Sequence, residues 1–346
     1  MEKPVLRFNS DGHFKILMVS DFHLGKNKKL KEDYNYKVTA GLEALIEETK
    51  PDMVFFGGDQ CLEDNDVQTA KKQFVTVIEP VLKRKLPWAA VFGNHDRETG
   101  IDLETEMKMY QTVDGCLCET GDTSLDGVGN YRIPILSSKD DSVAFNLFAL
   151  DSQREVTDLI DKFGLKKGTK IVLDGHFNEG QTGAMPTFEQ VMWYYNTSKA
   201  DEKTNGKKIP AAMFMHIPLP EYLEIIRNPE VCDAVGSKRE TVGCTEINFG
   251  LFAACLQRGD VKGIFFGHEH LCDIQGEYCG IIMAQDAALG YNMSAHDDLR
   301  GGRVIDLYED GTIQTHAVKL MDLMGRSAMR REDYFEGGCK YFIRKL

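Results

Sequence analysis

Apolar residues along this chain fall in short dense runs, at 16–19, 53–56, 88–92, 211–215 and 261–266. Their length and their Gly, Pro or charged flanks predict buried strands. Two amphipathic periods separate the first three runs. Residues 33–50 set Val38, Leu42, Leu45 and Ile46 on one helical face and stop at Pro51, and residues 67–85 do the same with Ala70, Phe74, Val77, Ile78 and Val81. This β-α-β-α-β alternation predicts a parallel half-sheet with covering helices. Ahead of it, residues 6–8 and 14–19 flank the turn Asn9-Ser10-Asp11-Gly12 and predict an opening hairpin.

Farther on, residues 140–152 read as a strand joining the same core. Residues 153–209 are irregular, with a helix starting at Pro186 and including Gln190, Trp193 and Tyr194. An excursion of that length reads equally as a specificity element and as a surface insertion. Runs at 280–284, 302–308 and 312–320, the last two joined by the turn Glu309-Asp310-Gly311, predict antiparallel strands that build a second sheet. The expected fold class is α/β, two mixed sheets packed as a sandwich flanked by helices. Residues 1–326 read as a single domain, and residues 327–346 as a tail with no assigned role.

Five polar clusters follow the five apolar runs and so sit where buried strands end. They are Asp21-Phe22-His23, Gly58-Asp59, Gly93-Asn94-His95-Asp96, the lone His216, and Gly267-His268-Glu269-His270. In open α/β folds, chemistry gathers at the carboxyl ends of strands. Asp, His and Asn are residue types that coordinate divalent metals. Alone, an Asp-x-His or a His-x-His is an ordinary strand end, but five in order make coincidence a poor account. His13, His296 and His316 read as surface or strand residues, and His176 lies in the irregular excursion.

In order and spacing these clusters resemble the calcineurin-like metallophosphoesterases, whose pattern is D-x-H, G-D, G-N-H-[DE], a later lone H, and G-H-x-H. The stretches Asn130-Tyr131-Arg132-Ile133-Pro134, Leu150-Asp151-Ser152, His216-Ile217-Pro218-Leu219-Pro220-Glu221-Tyr222 and Gly259-Asp260-Val261 are similar to the purple acid phosphatase-like branch. The resemblance covers roughly residues 14 to 320. It implies the α/β/β/α sandwich of that family and a dinuclear site hydrolysing a phosphate mono- or diester through a hydroxide held between two metals.

By that resemblance Asp59 bridges the metals, Asp21, His23 and His270 complete one set, and Asn94, His216 and His268 the other. His95 is then the motif imidazole without a metal, expected to stabilise the transition state or protonate the leaving oxygen. Asp96 is expected to orient its ring. For Arg97 a structural salt bridge is the preferred reading. Purple acid phosphatases carry an iron-binding tyrosine where this chain has Leu62, and lack the histidine present here as His23. Two divalent ions, Mn, Fe or Zn, are therefore expected, with no tyrosinate colour. Cys272 stands where relatives carry an amide beyond the ligands.

Composition narrows the function further. A net charge of −13 disfavours a non-specific grip on nucleic-acid phosphates. Nine cysteines without repeated spacing read as reduced thiols. There is no apolar leader and no span-length apolar run, so a cytoplasmic enzyme with a small phosphorylated substrate is expected, bound to neither membrane nor nucleic acid. Two other classes compete. A scaffold on this fold would have lost ligands or His95, and a β-lactamase-like hydrolase would carry an H-x-H-x-D-H cluster; neither pattern is seen. Monoesters, diesters, pyrophosphates and phosphoproteins all stay open as substrates, since loops choose the leaving group.

Overall fold

The computed structural model describes residues 3–25, 34–62, 66–153, 186–244, 248–293, 295–325 and 344–345. His176, most of the 153–209 excursion and nearly all of the 327–346 tail lie outside the described residues.

The strands in chain order are β1 (Leu6–Arg7), β2 (His13–Val19), β3 (Met53–Phe56), β4 (Trp88–Ala90), β5 (Tyr131–Leu136), β6 (Val143–Ala149), β7 (Ala211–Met215), β8 (Ser237–Lys238), β9 (Val261–Phe266), β10 (Gln275–Tyr278), β11 (Ile281–Gln285), β12 (Gly301–Tyr308) and β13 (Ile313–Lys319). One main sheet runs β13-β12-β2-β3-β4 and the other β1-β5-β6-β7-β9-β11-β10, while β8 pairs antiparallel with a two-residue strand, Arg344–Lys345, apart from both. Both mix parallel and antiparallel pairs, as expected for the sandwich. The apolar runs at 53–56, 211–215 and 261–266 are strands over those spans, almost wholly buried because helices cover one face of each sheet and the other sheet covers the second.

Helix α1 (Asn35–Thr49) buries Val38, Leu42, Leu45 and Ile46 and ends on Lys50 in the left-handed conformation before Pro51. The second predicted helix is two: α2 (Val67–Val77), capped by the Asp66 carboxylate, and α3 (Glu79–Lys83), with Pro80 in its first turn. Proline lacks the N–H that a continuous helix needs, so the chain restarts there. After α4 (Leu103–Tyr110) comes α5 (Phe188–Asn205), opened by a reciprocal capping box between Thr187 and Gln190. Among the described residues no helix is long and apolar enough to cross a membrane.

Two expectations about pairing are corrected, and the strand expected within 140–152 does join the common core as β6. The turn at 9–12 forms, with Gly12 N–H donating to Asn9 C=O at 2.9 Å, but it is a crossover rather than a hairpin. Strand β1 pairs in parallel with β5, because Phe8 wedges edge-on between Phe14 and Phe145 at 6.3 Å from each. Strand β6 lies between β5 and β7, in the sheet opposite β2 to β4. The β12–β13 hairpin extends the first sheet by pairing β12 antiparallel to β2, while β11 runs parallel to β9 in the second. Strand β2 offers a free edge opposite β3, and β12, buried over most of its length, fills it.

The sheets meet through aromatic rings. Phe55 of β3 stacks on Phe214 of β7 with centroids 4.0 Å apart, and Phe214 continues to Phe265 of β9 at 5.4 Å. Phe214→Ala should therefore lower unfolding stability by about 3–5 kcal/mol, the range for emptying a packed aromatic site. Phe188→Ala, at a side chain 56% exposed, should change it by less than about 0.5 kcal/mol. Urea titrations of both variants check the contrast.

Candidate metal centre

Strands β2, β3 and β4 of one sheet and β7 and β9 of the other end on the same rim, and each delivers one motif. The loops after β2 and β3 are zipped together by Asp21 N–H to Gly58 C=O at 2.9 Å and His23 N–H to Asp59 C=O at 3.0 Å. Four candidate ligands, Asp21, His23, Asp59 and His268, have positive φ, which costs a non-glycine residue energy and collects at functional sites. Space is equally constrained. A Cβ on Gly93 would lie 2.1 Å from Asp59 Oδ1, and one on Gly58 would lie 2.4 Å from His216 Nδ1, so glycine is required at both.

Each anchored side chain has one polar atom held by backbone and another aimed into a common space. Asp59 Oδ1 accepts from His95 N–H at 2.8 Å, and Asp21 Oδ2 accepts from His268 N–H at 3.1 Å. The His216 ring lies with Nδ1 2.8 Å from Gly57 C=O, which only accepts, so Nδ1 carries the proton. The atoms left over are Asp21 Oδ1, His23 Nε2, Asp59 Oδ2, Asn94 Oδ1 and His216 Nε2, all buried and without a hydrogen-bond partner.

These atoms converge. Asp59 Oδ2 lies 3.4 Å from His23 Nε2 and 3.3 Å from His216 Nε2, while Asp21 Oδ1 lies 3.4 Å from His270 Nε2 and 3.9 Å from both His23 and His216. Ligand atoms each about 2.0–2.2 Å from one ion stand roughly 3.0–3.5 Å apart. Asp21, His23, Asp59 and His270 each bring a ligand atom within 4.8 Å of the others, the grouping that the resemblance implied for one ion. His268 stands with its ring 5.2 Å from that of His216. A Cβ on Gly243 would sit 2.6 Å from His268 Nε2, which leaves Nδ1 as the nitrogen for a ligand role. Donor set and spacing thus fit a borderline divalent ion at Asp21, His23, Asp59 and His270.

The electrostatics agree. Burial alone would raise Asp59, but the charge of His216 beside it holds its carboxyl well below the usual range. Burial works the other way on His216, and is outweighed by Asp59 and Asp21, which push it up to about 10. His23 and His268 are brought down by burial to about 4 and about 3, and so stay neutral with lone pairs available.

Asp96 does not orient His95. Its carboxylate accepts the backbone N–H groups of Asp59 at 2.9 Å and of Gly93 and Cys61 at 2.7 Å, stapling the second motif to the third. Burial, then the charge of Asp59, pushes it up to about 7. Residues His95–Glu98 form a 3₁₀ turn, where positions three apart eclipse, so it is Glu98 Oε2 that meets His95 Nδ1, at 2.9 Å. Arg97 forms the structural ion pair expected of it, with buried Asp151 at 2.5 Å. Leu62 is fully buried, and the Tyr131 hydroxyl donates to Ala90 C=O at 2.6 Å. Cys272 is buried with its sulfur 3.6 Å from the Tyr222 hydroxyl. His13 pairs with Asp306 at 2.7 Å, as a strand residue would.

Sequence reasoning also missed a strap over the last motif. Arg239 N–H donates to Leu271 C=O at 2.8 Å and Asp273 N–H to Ser237 C=O at 3.0 Å, while Glu240 accepts from Leu271 N–H and Glu269 from Gly243 N–H. Burial raises both acids, Glu269 well above its ordinary range. Cys61 Sγ lies 3.4 Å from His23 Nδ1. Only the run of small and charged residues near 236–243 hinted at this strap.

Residues 14–272 match the calcineurin-like phosphoesterase family model. The chain is 29% identical over 313 residues to the probable inactive purple acid phosphatase 14 of Arabidopsis thaliana, covering 83% of this chain and 73% of that one. It is 27% identical over 296 residues to the phosphatase DCR2 of Saccharomyces cerevisiae, covering 79% and 46% respectively. In fold it is similar to a dimetal phosphatase from Danio rerio, with TM-score 0.57 and 14% identity over 89% of this chain and 96% of that one. With three quarters of its length in the matched region, the chain belongs to the calcineurin-like phosphoesterase family.

Proposed function

We propose that this protein is a metal-dependent phosphoesterase that hydrolyses a small phosphate mono- or diester at a dinuclear site. Asp21, His23 and His270 would hold one divalent ion and Asn94, His216 and His268 the other, with Asp59 within reach of both sets. The observation that carries the reading is the set of four buried atoms, Asp21 Oδ1, His23 Nε2, Asp59 Oδ2 and His216 Nε2, facing one another. Bound there, two Mn, Fe or Zn ions would activate water and neutralise charge on the phosphoryl group.

The chain's own residues do the rest. Asp59 keeps its spacing because His95 N–H holds one of its oxygens. His216 presents Nε2 because Gly57 fixes its other nitrogen. The His95 side chain, 37% exposed beside the His23 ring, stands where it can give a proton from Nε2 to the departing oxygen. Leu62 in place of an oxygen ligand supports divalent ions over a ferric partner. A cytoplasmic site of action is supported by eight free cysteines among the described residues.

Relatives whose names carry the word "inactive" favour a second reading, a metal-binding or scaffold protein without catalysis. The two readings separate on activity once metal is bound.

Purified or reconstituted protein should contain about two transition-metal ions per chain, and chelation should abolish hydrolysis of an aryl phosphate or aryl phosphodiester. Elemental analysis beside a chromogenic assay checks this, and two metals with no turnover of any ester would select the scaffold reading. His95→Asn should keep both metals and lower kcat by roughly 10² to 10⁴. Asp59→Asn should instead lower metal occupancy itself, because it removes charge between two cations. Equal metal loss in both variants would overturn this division of roles.

A further inference from the structure

The ring of His95 has a carboxylate partner that its motif does not contain. We propose that Glu98 is a positioning residue for leaving-group protonation, holding His95 with Nδ1 bound and Nε2 toward the metals. The inference rests on the reading of His95 as proton donor.

Glu98 Oε2 lies 2.9 Å from His95 Nδ1 across one turn of the 3₁₀ segment His95–Glu98. A carboxylate only accepts, so Nδ1 carries a hydrogen whether the ring is neutral or charged, and Nε2 is the nitrogen whose proton can be exchanged. The backbone of the same residue is fixed by Asp59 Oδ1 at 2.8 Å. The ring stands edge-to-face with that of His23 at 5.3 Å, against the ligand cluster. Two contacts, one through the main chain and one through the ring, therefore define where Nε2 points. Asp96 cannot supply the second contact, since its oxygens are occupied by three backbone N–H groups.

During hydrolysis an oxygen–phosphorus bond forms from water as the bond from phosphorus to the leaving oxygen breaks. The ring that donates carries a proton on both nitrogens; the one on His95 Nε2 passes to that oxygen, and the neutral ring left behind keeps its Nδ1–H, from which Glu98 accepts. Without Glu98 the doubly protonated ring turns about its side-chain bonds, so fewer molecules hold Nε2–H toward the leaving oxygen. The loss is felt only where the leaving group needs a proton.

The test compares phenyl and 2,4-dinitrophenyl esters, of phosphate or of methyl phosphate, with metal-loaded wild type, Glu98→Ala, Glu98→Gln, His95→Asn and the His95→Asn/Glu98→Ala double variant. Glu98→Ala should lower kcat on the phenyl ester about tenfold, as loss of an outer hydrogen-bond partner does, and change the dinitrophenyl ester less than about twofold, since that leaving group departs unprotonated. Glu98→Gln, whose amide oxygen still accepts, should recover most of the loss. In the His95→Asn background the alanine change should add nothing. Glu98 is half-exposed, and metal content should stay at wild-type level in every Glu98 variant. Equal loss on both esters, or a further loss on top of His95→Asn, would overturn the proposal while leaving the phosphoesterase reading intact. A wild type inactive on every ester would remove both.

Discussion

The arrangement turns on the burial of two carboxylates, Asp21 and Asp59, in one space. An isolated ionised carboxylate taken into the interior costs many kcal/mol, and a second beside it costs more. Such a pair persists only where positive charge is close. In the protein alone that charge comes from His216 and His270, whose protons Asp59 and Asp21 hold against the effect of burial. The surrounding imidazoles, His23 and His268, are kept neutral by the same burial. The site is thus an anionic cavity lined with lone pairs, whose charge a divalent ion would neutralise.

Everything nearby serves to keep those groups from relaxing. The backbone is pinned in left-handed conformations at Asp21, His23, Asp59 and His268, and the loops are closed on one another by Asp96 and by main-chain bonds. Glycines at 58, 93 and 243 admit side-chain atoms where a methyl group would stand. Strain of this kind is sustained by the stacked aromatic core beneath, in which Phe55, Phe214 and Phe265 fix the two sheets against each other.

The strands and the clustering of Asp21, His23, Asp59 and His270 were legible in the sequence because both obey local rules. Buried strands read as short apolar runs, and metal chemistry admits few residue types at their ends. Sheet membership was not legible. Whether residues 6–8 pair with 14–19 or with β5, and whether β12 joins β2, depends on edges that become neighbours only in the folded chain. The role of Asp96 was misread for a geometric reason: the 3₁₀ turn at His95 sends residue 96 inward and brings residue 98 under the ring. Gly243 carried no local sign, since a close approach is written in the partner, His268, and not in the glycine.

The seven candidate ligands do not belong to one sheet. Asp21, His23, Asp59 and Asn94 extend from the first, and His216, His268 and His270 from the second, so each ion would draw on both. Metal coordination and core cohesion then share the same residues, and a descendant of this chain cannot shed its chemistry one ligand at a time. Losing His216 strands two buried anions, and losing Asp59 frees two imidazoles across the seam. The lineage would leave catalysis more cheaply through its rim, at His95 or Glu98, keeping the ions as rivets in a protein that no longer turns over.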